Sequence, residues 1–415
     1  MTSSIASWSN VAAACCLTLG AGCATSGSST TSSFDAPPGA IDSYLSTKPA
    51  SLHGYYRKVI EEGQRNETLN HMRAATAAME LDERGAAVES LDTALTIIES
   101  VYANTESAAK ARSLWYEEGM KDFKGEPYER AMAYYYRGLL ELELGNYDNA
   151  RAHFKSGALQ DAFAEEEQNR CDFALLIFLE GWASHLQGDR DLAAAAFKEV
   201  QQLRPNFPIP GEGDNVLVIA ETGAAPRKLA DGVGHYQLRF FRGKNFTDKR
   251  AALAFNDETV ELFPIEDIAW QAMTRGGRAI DHILQGQVVF KQNQEDLGTL
   301  VTGLGEATMT AASVFNNASG ELHAAAGGLE LLGVAQLAIS QRVKAKADTR
   351  AWDNLPDTVH IATFRAQDLP SQVTVRLLDE NGTPTGAEQT RAVTPNADGS
   401  ALVWARKPQS SVVSL

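Results

Sequence analysis

Two segments of the chain align without a gap, and that alignment limits what its first half can fold into. Tyr134, Gly138, Gly145, Tyr147, Ala150 and Phe154 recur, 43 positions later, as Ile177, Gly181, Gly188, Arg190, Ala193 and Phe197, and Pro205 closes the second set. Both sets lie in stretches whose apolar residues fall at helical spacing. Gly138 and Gly181 sit in mid-helix, where glycine costs up to about 1 kcal/mol against alanine. They make sense where a partner helix crosses closely. Gly145-Asn146 and Gly188-Asp189 read as turns after an apolar helix. Ala150 and Ala193 are small at the crossing, and Phe154 and Phe197 fill the space between helices. Pro205 cannot continue a helix. The spacing predicts two successive helix–turn–helix units.

These offsets resemble the tetratricopeptide repeat, with elongated helices or linker because the usual period is about 34 residues. A weaker third unit is Ala75, Ala87, Leu91 and Ala94, which lacks both glycines. Residues 107–129 then form an additional helix and a linker containing Gly125-Glu126-Pro127. The reading assigns residues 40–210 to an all-α repeat array. On the first helix of each unit a second apolar stripe recurs: Met132, Tyr135, Leu139 and Leu142, then Leu175, Phe178, Trp182 and Leu186. In a tetratricopeptide array this side lines the concave groove. Helices apolar on both sides are buried on both sides, so something fills that groove. The candidates are another helix of the chain, from Ala40–Arg65 or from the C-terminal half, and a bound protein partner.

After Pro205 the composition changes. Pro205, Pro208, Pro210, Gly211 and Gly213 mark a boundary. Strand-like runs follow at Val216–Ala220, Tyr236–Phe241, Ala251–Phe255 and Thr259–Phe263, the last two flanking a turn at Asn256-Asp257-Glu258. Residues 266–350 read as a helical insertion rich in alanine and glycine. Its most apolar part, Ala324–Ile339, is short and carries Glu330, which argues against a membrane span. Strands return at Val359–Phe364, Val373–Leu377 and Leu402–Trp404, with a hairpin signal at Asp379–Gly382. The expected fold class is α+β: a helical repeat array followed by a mixed half, residues 211–415. There a small β-sandwich or sheet is built from strands in 215–265 and 357–407 around the insertion. A separate terminal β domain is the alternative.

The first charged residue is Asp35. Before it, Val11–Gly22 has the length of a signal-peptide apolar region rather than of a span. Gly20-Ala21-Gly22-Cys23 resembles a bacterial lipobox, although Leu19 stands one place further back than usual and residues 1–22 hold no Lys or Arg. The resemblance implies a signal peptide over 1–22 and acylation of Cys23. Ala24 after the cysteine implies sorting to the outer membrane, facing the periplasm. An ordinary secretory signal or an inner-membrane anchor is the alternative. The Ser/Thr/Gly-rich residues 23–39 suit a flexible tether. Of the four cysteines, Cys15, Cys16, Cys23 and Cys171, processing leaves only Cys171 as a thiol, which its apolar helical setting marks as buried and inert.

Catalytic chemistry is hard to find. The eight histidines form neither a His-Glu-x-x-His nor a Cys/His metal pattern, and no Gly-x-Ser-x-Gly elbow occurs. No metal, cofactor or catalytic residue is expected. Gly211-Glu212-Gly213-Asp214 lacks the continuation of a phosphate loop. The net charge of −16, concentrated in residues 35–213, disfavours nucleic acid as a partner. Arg239, Arg242, Lys244, Lys249 and Arg250 interleave with Phe240, Phe241 and Phe246, which is either a hairpin with a solvated face or a site for a polyanion such as peptidoglycan or lipid headgroups.

Gly125–Arg130, Tyr134–Gly138 and Ala347–Pro356 together resemble a family of uncharacterised tetratricopeptide-like bacterial lipoproteins. The resemblance covers most of the mature chain and implies a link to cell-wall assembly without supplying catalytic residues. The expected function is a lipid-anchored periplasmic scaffold binding envelope proteins. The alternative is an assembly subunit of an envelope oligomer whose groove is filled internally.

Overall fold

The repeat spacing emerges in the structure as helical hairpins with a common turn. A computed structural model describes residues 39–102, 122–161, 172–231, 237–274 and 348–407. The helices before the first strand are α1 (Ala40–Leu45), α2 (His53–Glu62), α3 (Glu67–Glu80), α4 (Arg84–Tyr102), α5 (Pro127–Glu143), α6 (Tyr147–Asp161), α7 (Ala174–Leu186) and α8 (Arg190–Leu203). From α2 onward each packs on the next. Helix α5 starts at a capping box: Glu126 and Glu129 satisfy each other's backbone donors, and Pro127 takes the first turn. Helices α5 and α7 end alike. The amide of left-handed Gly145 bonds the Leu142 carbonyl and that of Asn146 bonds Glu141; Gly188 and Asp189 repeat this on His185 and Ser184. The α3–α4 turn has the same two bonds with Asp82 in the left-handed position (φ 58°), so the third unit keeps the turn without its glycine. A β-carbon on Gly138 would lie 2.4 Å from the Phe154 ring, and one on Gly181 2.9 Å from Phe197. These contacts are why both positions are glycine.

Ten strands follow: β1 (Val216–Thr222), β2 (Arg227–Asp231), β3 (Gln237–Phe241), β4 (Arg250–Phe255), β5 (Glu258–Glu261), β6 (Phe263–Asp267), β7 (Thr358–Phe364), β8 (Gln372–Leu378), β9 (Pro384–Ala392) and β10 (Ala401–Arg406), with helix α9 (Ile268–Met273) after β6. They form an inner sheet of order β10-β1-β7-β6, an outer sheet of order β5-β4-β8-β9, and the separate hairpin β2–β3. Among the described residues the β1–β10 pair alone is parallel, and the other pairings are antiparallel.

Strand β1 decides the layering. Val216, Val218 and Ala220 join Ala251, Leu253, Val373, Val375 and Val403 in the core between the two sheets. Leu217 and Ile219 point the other way, into a core shared with the helices, Trp352, Ile361 and Trp404. The molecule is therefore an α+β protein of three layers: helices, inner sheet, outer sheet.

Several expectations need correcting. The segment after Pro205 is packed, since Phe207 is buried, edge-on to both Phe178 and Phe263, and residues 33–415 cluster as one unit. The run Thr259–Phe263 is not one strand. It breaks at buried Leu262, where the chain passes from the outer sheet to the inner one. Strands β2 and β9 were not foreseen, since neither carries an apolar alternation. Of the expected insertion 266–350, residues 275–347 lie outside the described residues; Glu266 and Asp267 belong to β6, Ile268–Met273 is α9, and 348–350 lies in neither helix nor strand.

Candidate functional site

The eight residues expected to line a partner groove are not open to a partner. Met132, Tyr135, Leu139, Leu175, Phe178 and Trp182 are all at most 1% exposed, Leu142 is buried and Leu186 half-buried. What covers them is the chain's own inner sheet and the loops beside it, with helix α9 of the C-terminal half also packed on α5. The Tyr135 hydroxyl donates to Glu221 on β1 at 2.9 Å, Asn396 Nδ2 to the Leu142 carbonyl at 3.3 Å, and the Leu175 amide to Glu266 on β6 at 3.3 Å. Trp182 stacks on His185, whose ring is bonded to the Asp214 carbonyl.

The sheet is tied to the helices by buried charge. Glu221 accepts from Tyr135 and Tyr136, and from Trp404 Nε1 at 3.0 Å. Arg406 completes the cluster, 3.5 Å from Glu221 and 3.4 Å from Glu80 on α3, with its Nη2 donating to the Asn354 carbonyl. Burial and the neighbouring Glu221 push both tyrosine hydroxyls well above their ordinary pKa, so they act as donors. A second cluster gathers around Glu129, which accepts from the Glu126 and Trp352 amides, both at 2.6 Å, near the Lys228–Glu126 ion pair at 2.5 Å. A third is Glu266, which accepts from Arg204 at 3.0 Å and Gln271 at 2.9 Å. Burial outweighs these partners and pushes the carboxyls of Glu129 and Glu266 up to about 7. The sequence signal for Glu221 is an acidic residue in phase with Leu217 and Ile219, at the end of an otherwise apolar strand.

None of these groups lines either cleft described here. The larger, about 670 Å³, lies between α8 and the 209–215 segment and includes His185, Lys198, Gln201, Ile209 and Asp398. A shallower one of about 620 Å³ adjoins it beyond Gly213, beside Arg365. The Gly211–Asp214 loop separates them and is held from within, because Asp214 accepts from the Gly211 amide and from Thr363.

The other candidates divide. In the basic cluster, Arg242 bridges Asp267 and Asp357, Arg250 pairs with Glu261, and Lys249 sits 3.9 Å over the Phe246 ring. Two of its five cations, Arg242 and Arg250, are therefore paired with carboxylates within the fold. Buried His71 and His360 are pushed down to about 4 by loss of water around the ring, so they stay neutral. Among the described residues no group of three or more His, Cys, Asp or Glu is placed to hold a metal ion, and no helix is long and apolar enough to cross a membrane. Cys23, the other cysteines and Ala324–Ile339 lie outside the described residues. Comparison with protein families, curated proteins and solved structures returns no match.

Proposed function

We propose that the protein is a lipid-anchored subunit in the assembly of the bacterial envelope, held at the membrane through Cys23 and acting by contact with other proteins rather than by catalysis. The observation that carries this reading is the filled inner face of the helical array: a scaffold that grips peptides in an open groove needs that face free. The common turns of three hairpins, with the glycine–phenylalanine contacts of two, support the tetratricopeptide-like reading of the array. Partner contacts then use its outside. The cleft beside α8 is suited to this, since Ile209, about half exposed, lines it among charged groups.

Cell fractionation tests the anchor. After a high-salt wash, which strips electrostatic membrane contacts but not an acyl chain, Cys23→Ala is expected to leave the membrane fraction, and retention equal to that of the unmutated protein overturns the anchor. Mass photometry of the processed protein tests the assembly role. A stable oligomer is expected, and a stable monomer overturns it.

A further inference from the structure

We infer that the outer face of the β2–β3 hairpin, together with α9, is a contact surface for an anionic lipid bilayer, distinct from the acyl anchor. Strand alternation creates the face. Lys228 and Phe240 point inward, Lys228 to Glu126 and Phe240 edge-on to Tyr128 at 6.1 Å. Their cross-strand pairing leaves Arg227, Leu229, Arg239 and Phe241 on the other side. Helix α9 packs against β3, and Arg242, next to Phe241, is bonded to Asp267, the residue that caps α9. Ile268, Ala269, Gln271 and Ala272 are buried, so α9 presents Trp270 and Met273 to solvent. Leu229, Phe241, Trp270 and Met273 are 43%, 41%, 49% and 42% exposed. Single exposed apolar residues are ordinary, but four gathered on two packed elements are not.

Charge selects the occupant. The chain as a whole carries −16, yet the cations here are not all neutralised. Arg227 lies 5.6 Å over the Phe241 ring and bonds a carbonyl oxygen, that of Arg242, while Lys244 stands exposed beyond β3. Tryptophan and phenylalanine fringed by arginine and lysine make up the composition that settles at a bilayer's interface, and the cations favour anionic headgroups. None of these residues lines either described cleft. The inference goes beyond the proposed function and does not need acylation.

The test uses the full chain carrying Cys23→Ala, with vesicles of brominated phosphatidylglycerol or brominated phosphatidylcholine. Every chain compared shares the same first 22 residues, so their own affinity for lipid cancels between variants on one lipid, and the phosphatidylcholine comparison is read as the size of the Phe241→Ser effect there. The expected result is tryptophan quenching on phosphatidylglycerol that Trp270→Phe reduces, and vesicle binding that Phe241→Ser weakens about tenfold. Raising the salt is also expected to weaken binding. If Phe241→Ser shifts the far-ultraviolet spectrum, Arg227→Glu is read in its place, with the same direction expected. Quenching unaffected by Trp270→Phe overturns the inference, as does an equal Phe241→Ser effect on phosphatidylcholine. A protein crosslinked through position 241 in cells, with no vesicle effect, assigns the face to that protein and also overturns it. Fractionation of Cys23→Ala reads the anchor separately.

Discussion

The inner and outer sheets have four strands each and share one core, yet they solve opposite problems. The outer sheet has one wet face. Strand β9 alternates exposed and half-buried along its length, and its charges pair in water, as Arg376 does with Glu388 at 2.9 Å. The inner sheet has no wet face at β1, where all seven residues are buried. Its polar residues are therefore few, deep and multiply bonded, with Glu221 and Arg406 the extreme case. A charge on the outer sheet is a surface accessory, whereas a charge on the inner sheet locks helices to strands. Isolated buried charges are costly to leave unpaired, so the cluster resists the loss of any one member.

Three measurements press on this contrast. The largest effect is expected from Arg406→Ala, which removes the cation facing buried Glu221 and Glu80. Urea unfolding should show a loss of about 3–5 kcal/mol, against less than about 1 kcal/mol for Arg376→Ala on the outer sheet. Equal losses would erase the distinction. Next is the helical layer over the inner sheet. Gly138→Ala sets a methyl into the Phe154 ring and should cost about 1–3 kcal/mol. Gly85→Ala in α4, with nothing near its β-carbon, should be stabilising by up to about 1 kcal/mol. The smallest is a pH effect at Glu266. Its folded-state pKa lies above the ordinary carboxylate value, so folding takes up a proton between about pH 4.5 and about 7. Its contribution is fullest on the acid side and declines as pH rises through that window. Wild type should lose stability relative to Glu266→Gln as pH rises, by no more than about 1.4 kcal/mol per pH unit for one group. Parallel pH curves for the two proteins would show that Glu266 keeps one protonation state.

The same contrast explains what was legible in the sequence. Local rules wrote the helical hairpins plainly: glycine at a left-handed turn, glycine under a phenylalanine ring, proline at a helix start. The β4–β5 turn was legible for the same reason, since Asn256 and Asp257 both adopt positive φ. Strand β1 was legible as an apolar run, but its two-sided burial was not, because a continuous run does not say which layers cover it. Strands β2 and β9 were hidden: one carries a buried lysine whose partner, Glu126, is about a hundred residues away, and the other is a solvent-facing edge. The apolar stripe from Met132 to Leu186 was read correctly as buried. That a sheet covers it depended on the pairing of β1 with strands more than 130 residues downstream.

The parallel pairing of β1 with β10 also imposes an order in time. Residues 401–406 are the last described strand, and they carry the arginine that meets α3, α5 and β1 together. A chain emerging from its N-terminus can form its helical hairpins early, because their contacts are local. It cannot dry the inner face of the array, or neutralise Glu221, until those late residues arrive. Until then the growing chain displays a broad apolar surface with tyrosine hydroxyls unsatisfied, the kind of intermediate that chaperones hold. Synthesis and any passage across a membrane would have to be finished, or the chain held unfolded, before this molecule could close on itself.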